Sequence, residues 1–274
     1  MNLPPAAPVC AAENLARKLD RFVPLSPHEL VGFQELASGT RTVRRRHDIV
    51  TEGMKYRALF LVTDGIMMRY RILRDGRRQI VNLVVPGDFA GVPGCFFDGA
   101  LYSIKALTDS QIAVIPLSRL FALFDSQPRL AAKLLWSFSC EAAVYAEHLI
   151  QIGRRTALER VAHFLLELLT RLQVIGQAEE RSYRIPLSQE VIGDALGLSL
   201  PYVNRVLRQL ADDGLVTVKE HKVVIHDIEG LSGLADFERG YLRPLPISEF
   251  ADSPRPSTDS KMRGTAAAAL GVSQ

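Results

Sequence analysis

The chain has 274 residues, 47% hydrophobic and 23% charged, with a formal net charge of +3, an ordinary globular composition with length enough for two domains. No run approaches the roughly 18 apolar residues of a membrane span, and the N-terminus MNLPPAAPVCAAEN has no basic start leading into an apolar core, so a cytoplasmic protein with no membrane partner is predicted. The cysteines Cys10, Cys95 and Cys140 are scattered without a CxxC pair, which excludes a disulfide framework or a local metal knuckle as the organising principle; the charge is too small to argue for nucleic acid by itself.

In chain order the text divides into an N-terminal extension (1–20), a β-rich unit (21–126), a long helix (127–153), a winged helix-turn-helix unit (154–228), and a short helix with a disordered tail (229–274). The β-rich unit carries the apolar segments ALFLV, IMMRYRI, QIVNLVV, SIKAL and QIAVI, parted by the turn signals TDG, RDG, PGD and FDGA. That pattern predicts an α+β protein beginning with an antiparallel barrel or jelly roll. The basic cluster Arg44, Arg45, Arg46 and His47 is placed on one of these strands as a solvated face, with a ligand or DNA patch as the other reading.

From Ala131 the apolar residues Leu135, Phe138, Ala142, Tyr145, Leu149 and Ile152 recur in steps of four and three, the core positions of a heptad, which predicts a dimer seam along one helix. Gly153 is expected to act as a hinge. A second amphipathic helix, TALERVAHFLLELLTRL at 156–172, opens the next unit, with His163 in its core.

The stretch QEVIGDALGLSLPYVNRVLRQL at 189–210 meets the demands of two helices crossing steeply: Gly193 for the close contact, Gly197 for the turn, and Ile192, Leu196, Leu198, Val203 and Val206 for the buried set. Ser188 and Ser199 are expected to cap the two helices, with Pro201 tolerated in the opening turn. VTV and VVI, turned by KEHK, make a wing. Lys/Arg and Asp/Glu nearly balance over 154–226, so phosphate and base contacts must come from local placement: Ser188, Gln189, Ser199, Leu200, Pro201, Tyr202, Asn204, Arg205 and Arg208. Arg205 is the candidate for bidentate reading of a guanine. Arg208 either contacts phosphate or pairs with Asp212.

A turn-rich β unit with VVPGDFAG near its end, a heptad helix, a hinge and PLSQEVIGDALGLSLPYVNRVLRQLADDGLV together resemble the CRP/FNR family of bacterial transcription regulators over residues 20–228. The resemblance implies a homodimer that binds a pseudo-palindromic double-stranded DNA site and contacts RNA polymerase, and is not an enzyme. It also implies where a cyclic nucleotide would bind, and there the chain departs from the family: Gly91-Val92 replaces the Gly-Glu pair that holds the ribose, and Ala100-Leu101 the Arg-Ser pair that holds the phosphate. Cyclic-nucleotide independence is therefore expected. Cys10 and Cys95 cannot supply the four ligands of the family's iron–sulfur cluster, and no cofactor or metal is expected, although haem on His28, His47 or His148 is an alternative. Leu200 and Pro201 stand where relatives place Arg or Val, then Glu, so the half-site should keep a guanine and differ at the Glu-read pair. The rival readings are a metal enzyme of the cupin kind, for which the β unit offers only His47, and a ligand- or haem-sensing barrel whose winged domain contacts proteins.

Overall fold

The computed structural model describes residues 13–20, 24–37, 39–186 and 188–242. Cys10 and the expected disordered tail lie outside these residues. The β-rich unit comprises β1 (Thr40–Val43), β2 (Asp48–Val50), β3 (Ala58–Asp64), β4 (Met67–Ile72), β5 (Arg78–Val84), β6 (Phe89–Ala90), β7 (Ser103–Ala106) and β8 (Ser110–Pro116). They form two antiparallel four-stranded sheets, ordered β1-β8-β3-β6 and β2-β7-β4-β5, and so a jelly roll instead of a closed barrel. Each predicted apolar segment is a strand. The cluster Arg44–His47 is not: it forms the exposed turn between β1 and β2, with Arg46 at φ 68°.

Three helices that the sequence reading did not predict cover the first sheet: α1 (Glu13–Asp20), α2 (Pro27–Leu36) and α3 (Leu117–Ser126). An eight-residue helix is marginal alone. Leu15 and Leu19, one turn apart and fully buried with Leu59, Leu61 and Phe89, hold α1 in place, each stabilising by about 1.5–3 kcal/mol. Then comes α4 (Pro128–Arg154), the long helix. It does not bend at Gly153, which is helical. The chain turns at Arg155, in the extended region, because Thr156 starts α5 (Ala157–Val174) with a capping box to Glu159.

The last unit adds β9 (Ser182–Arg184), α6 (Gln189–Leu196), α7 (Leu200–Asp212), β10 (Val216–Lys219), β11 (Lys222–Ile225) and α8 (Ile228–Ala235), with a three-stranded sheet ordered β10-β11-β9. Its core is continuous with the outer face of the second jelly-roll sheet, where Ile66, Met68, Tyr70, Ile80, Leu83 and Val85 pack in the same cluster as α5 and α6. His163 is buried, bonded to Gln151 at 2.8 Å, as a core histidine.

Charges are buried along this junction. Asp88, in the turn before β6, accepts from Lys18 on α1 at 2.8 Å and from Arg171 on α5 at 2.7 Å. Arg171 also reaches Glu167 and the Leu83 carbonyl, and His148 on α4 lies between Glu167 and the Val81 carbonyl. Burial would raise the carboxyls of Asp88 and Glu167, yet their cationic partners outweigh it and hold both at about 2. An acid whose folded pKa is depressed stabilises the fold above its unfolded value, near 4, and that stability fades as pH falls towards the folded value. Lowering pH from about 4.5 to 2.5 should therefore lower the urea midpoint steeply, and Asp88→Asn should flatten the dependence over that window, by on the order of 2 kcal/mol; urea titrations across the range measure it.

Candidate nucleic-acid interface

Ser188 occupies the N-cap of α6 and its Oγ accepts from Val191 N at 3.2 Å, so the first expected cap is present. Helix α6 ends at Gly197 in the left-handed region at φ 66°, which closes the turn. Gly193 is where the helices touch: a Cβ there would sit 2.6 Å from the Leu198 carbonyl oxygen, a backbone atom that cannot yield, so any larger residue would force the helices apart. Ile192, Leu196, Val203 and Val206 are buried and Leu198 packs against them. The second expected cap differs. Ser199 has the N-cap backbone conformation, but its side chain makes no capping bond, and Pro201 in the first turn removes one donor that would need it.

With its buried side fixed, α7 presents Leu200, Pro201, Tyr202, Asn204, Arg205 and Arg208 to solvent. These residues are ordered among themselves. The Arg205 guanidinium lies over the Tyr202 ring at 5.4 Å, and Asn204 donates to Gln189 of α6 and accepts from Arg208. Arg208 therefore bonds within the row instead of pairing with Asp212. Among the described residues neither arginine is ion-paired, so both keep donors for an anionic or acceptor-rich partner. The wing forms as expected, with Glu220 and His221 both at positive φ in its two-residue turn.

Helix α4 separates the expected dimer residues into two faces. Leu135, Ala142 and Leu149 are exposed, Leu149 by 74% and Leu135 by 67%. Phe138 and Tyr145 instead turn to the jelly roll: Phe138 packs edge-on against Phe89 at 5.3 Å, and Tyr145 donates to Glu141 and lies beneath the Arg69 guanidinium. Ile152 stays 41% exposed at the helix end. The exposed residues that complete the heptad with Leu135, Ala142 and Leu149 are Ala132, Ser139, Ala146 and Gly153. The three-four spacing was readable in sequence, but two registers one residue apart both fit it, and only burial separates them.

At the expected cyclic-nucleotide positions, Gly91 has φ 98° and its carbonyl accepts from Tyr56 Oη at 2.5 Å. Val92 packs against the cluster formed by the first sheet and its helices, Ala100 is buried with its backbone paired to Gly53 and Met54, and Leu101 is exposed. A cation does lie buried nearby, unnoticed in the sequence. Arg69 on β4 is 1% exposed, donates to Glu141 on α4 at 2.7 Å and to the Phe89 carbonyl, and its Nε makes no hydrogen bond. The chain's own carboxylate thus occupies the guanidinium. Of the three histidines weighed for haem, His28 and His47 are exposed and His148 has both ring nitrogens engaged. Among the described residues there is no cluster of three potential metal ligands.

Residues 159–234 match the Crp-like helix-turn-helix domain and residues 40–127 the cyclic nucleotide-binding domain. The nitrogen fixation regulation protein FixK of Azorhizobium caulinodans is 32% identical over 203 residues, covering 72% of this chain and 80% of that protein. The chain belongs to the CRP/FNR family. Further CRP/FNR relatives include the transcriptional activator protein anr of Pseudomonas aeruginosa, 26% identical over 77% of this chain and 86% of its own length. The solved structure of FixK2 from Bradyrhizobium japonicum superposes with a TM-score of 0.64 at 30% identity, covering 71% of this chain and 96% of that one. As a CRP/FNR protein the chain is a transcription regulator whose helix-turn-helix domain binds DNA. Among the described residues no helix is long and apolar enough to cross a membrane.

The residues sequence reasoning missed are those that tie the two units together. Arg78 on β5 pairs with Asp194 at 2.6 Å and Glu190 at 3.1 Å on α6, and Gln79 donates to the Ala195 carbonyl. More than a hundred positions separate the partners, so no local pattern could announce them.

Proposed function

We propose that the protein is a homodimeric regulator that reads a pseudo-palindromic site without a cyclic nucleotide, acting in the cytoplasm and not as an enzyme. The observation that carries this reading is the outward face of α7, where stacked Arg205 and Tyr202 and bonded Asn204 and Arg208 form a preordered row beside the α6 cap. The wing and the exposed N-termini of α6 and α7 fit phosphate contacts that fix the register. RNA polymerase contact is carried over from the family as an expectation.

Dimerisation is supported by α4. Its solvent-facing stripe of Ala132, Leu135, Ser139, Ala142, Ala146, Leu149 and Gly153 runs the exposed length of the helix without a charge, and the small residues allow a second helix to approach closely. Leu149→Glu should place two like charges in that seam and convert the dimer to monomer; light scattering that still gives a dimer would move the interface elsewhere.

Independence from cyclic nucleotides is supported by Val92 and Ala100, which offer neither ribose nor phosphate a partner, and by Glu141, which already neutralises Arg69. Calorimetry with cyclic AMP should give no saturable heat.

For Arg205, a fork onto guanine O6 and N7 predicts that Arg205→Ala costs roughly 1–3 kcal/mol on the specific site and flattens discrimination at one base pair. A phosphate contact would instead weaken every sequence and reduce the salt slope by about one. Anisotropy titrations against a site library at two salt concentrations separate the two.

A further inference from the structure

Where the turn between β5 and β6, the middle of α4 and the end of α5 converge, a cavity of about 70 Å³ opens. One water needs about 10–15 Å³ on this measure, so the space accommodates a small organic molecule. Its apolar wall includes Val85, Pro86, Phe89, Val144, Val174 and Ile175, contributed by the jelly roll, α4 and α5 together. Its polar wall is uneven. The carboxylates facing it are already matched, Asp88 by Lys18 and Arg171, and Glu141 by Arg69. Among the described residues Lys18 makes one hydrogen bond, to Asp88, and its side chain keeps 18% exposure, so within that set its ammonium has donor capacity to spare. The capacity left in the wall is for an acceptor.

We propose that this cavity is an effector site for a small carboxylate with an apolar, ring-sized body, the carboxylate on Lys18 and the body between Val85, Val144 and Ile175. The proposal rests on the reading of the protein as a DNA-binding regulator. A ligand touching the jelly roll, α4 and α5 at once stabilises one arrangement of the three. DNA affinity then changes with it wherever the DNA-bound protein arranges the three differently, because α5 packs directly on α6 and α7.

Trp136 lines the cavity and is the sole tryptophan of the sequence, so its fluorescence reports on this site alone. The full-length protein is titrated with 3-phenylpropanoate and with 2-phenylethylamine, which share a body and differ in charge. The acid should give a saturable one-site change and the amine none. Lys18→Met should weaken the acid about tenfold or more, as loss of a hydrogen bond to a charged group requires. Val144→Phe, with unchanged circular dichroism, should abolish binding by filling the space. Saturating acid should shift affinity for the specific DNA site at least about threefold. A silent acid, an amine that binds equally, or Lys18→Met binding like the wild type overturns the site, and binding without a shift in DNA affinity overturns its effector role. The fluorescence arm needs no DNA, so a ligand-free protein that fails to bind any DNA site defeats the regulator reading without touching the cavity result.

Discussion

The structure depends on burying the outer face of one jelly-roll sheet under a helix of another unit. Ile80 and Leu83 on β5 and Val85 just after it pack in the same cluster as α5 and α6, and without those helices above them they would face water. Burying that face also buries Glu167 and leaves Asp88 and Arg171 only slightly exposed. Each would be costly alone, and the arrangement survives because every carboxylate meets a cation and every guanidinium arm meets a carboxylate or carbonyl. Such networks add little net stability but tolerate few alternative geometries. The orientation of α5, and through it the helix-turn-helix, is thereby tied to the turn at Asp88 and to the grip of Arg78 on α6.

Helix α4 serves two surfaces at once. One face carries Phe138, Glu141 and Tyr145 into the jelly roll, where Glu141 satisfies the buried Arg69. The other carries the uncharged stripe through Leu135, Ala142 and Leu149 into solvent. A helix that places its own carboxylate on the buried guanidinium of the sensor-like unit needs no external anion to keep that charge satisfied, which supports the proposed independence from cyclic nucleotides. The cavity beside Trp136 is a second surface shared by the jelly roll, α4 and α5.

Local patterns carried much of this architecture. Period-two segments between glycine turns, the three-four spacing after Ala131, and the small residue, turn glycine and apolar set of 188–210 are rules of neighbouring residues, so strands β3, β4, β5, β7 and β8 and helices α4 to α7 were legible before any coordinates. The same text was silent on α1, because two leucines in eight residues are no signal until a sheet stands opposite them.

Sequence by itself therefore determined the order of units and the helix-turn-helix with its exposed Tyr202, Asn204, Arg205 and Arg208, since each follows from side chains a few positions apart. Tertiary structure alone decided that Phe138 and Tyr145 turn from the solvent-facing side of α4 to the jelly roll, that the chain turns at Arg155 and not Gly153, and that Lys18, Asp88 and Arg171 share one site. The physical reason is that burial and ion pairing depend on distance in space, and these partners lie up to about 150 residues apart along the chain, where neither periodicity nor capping chemistry reaches.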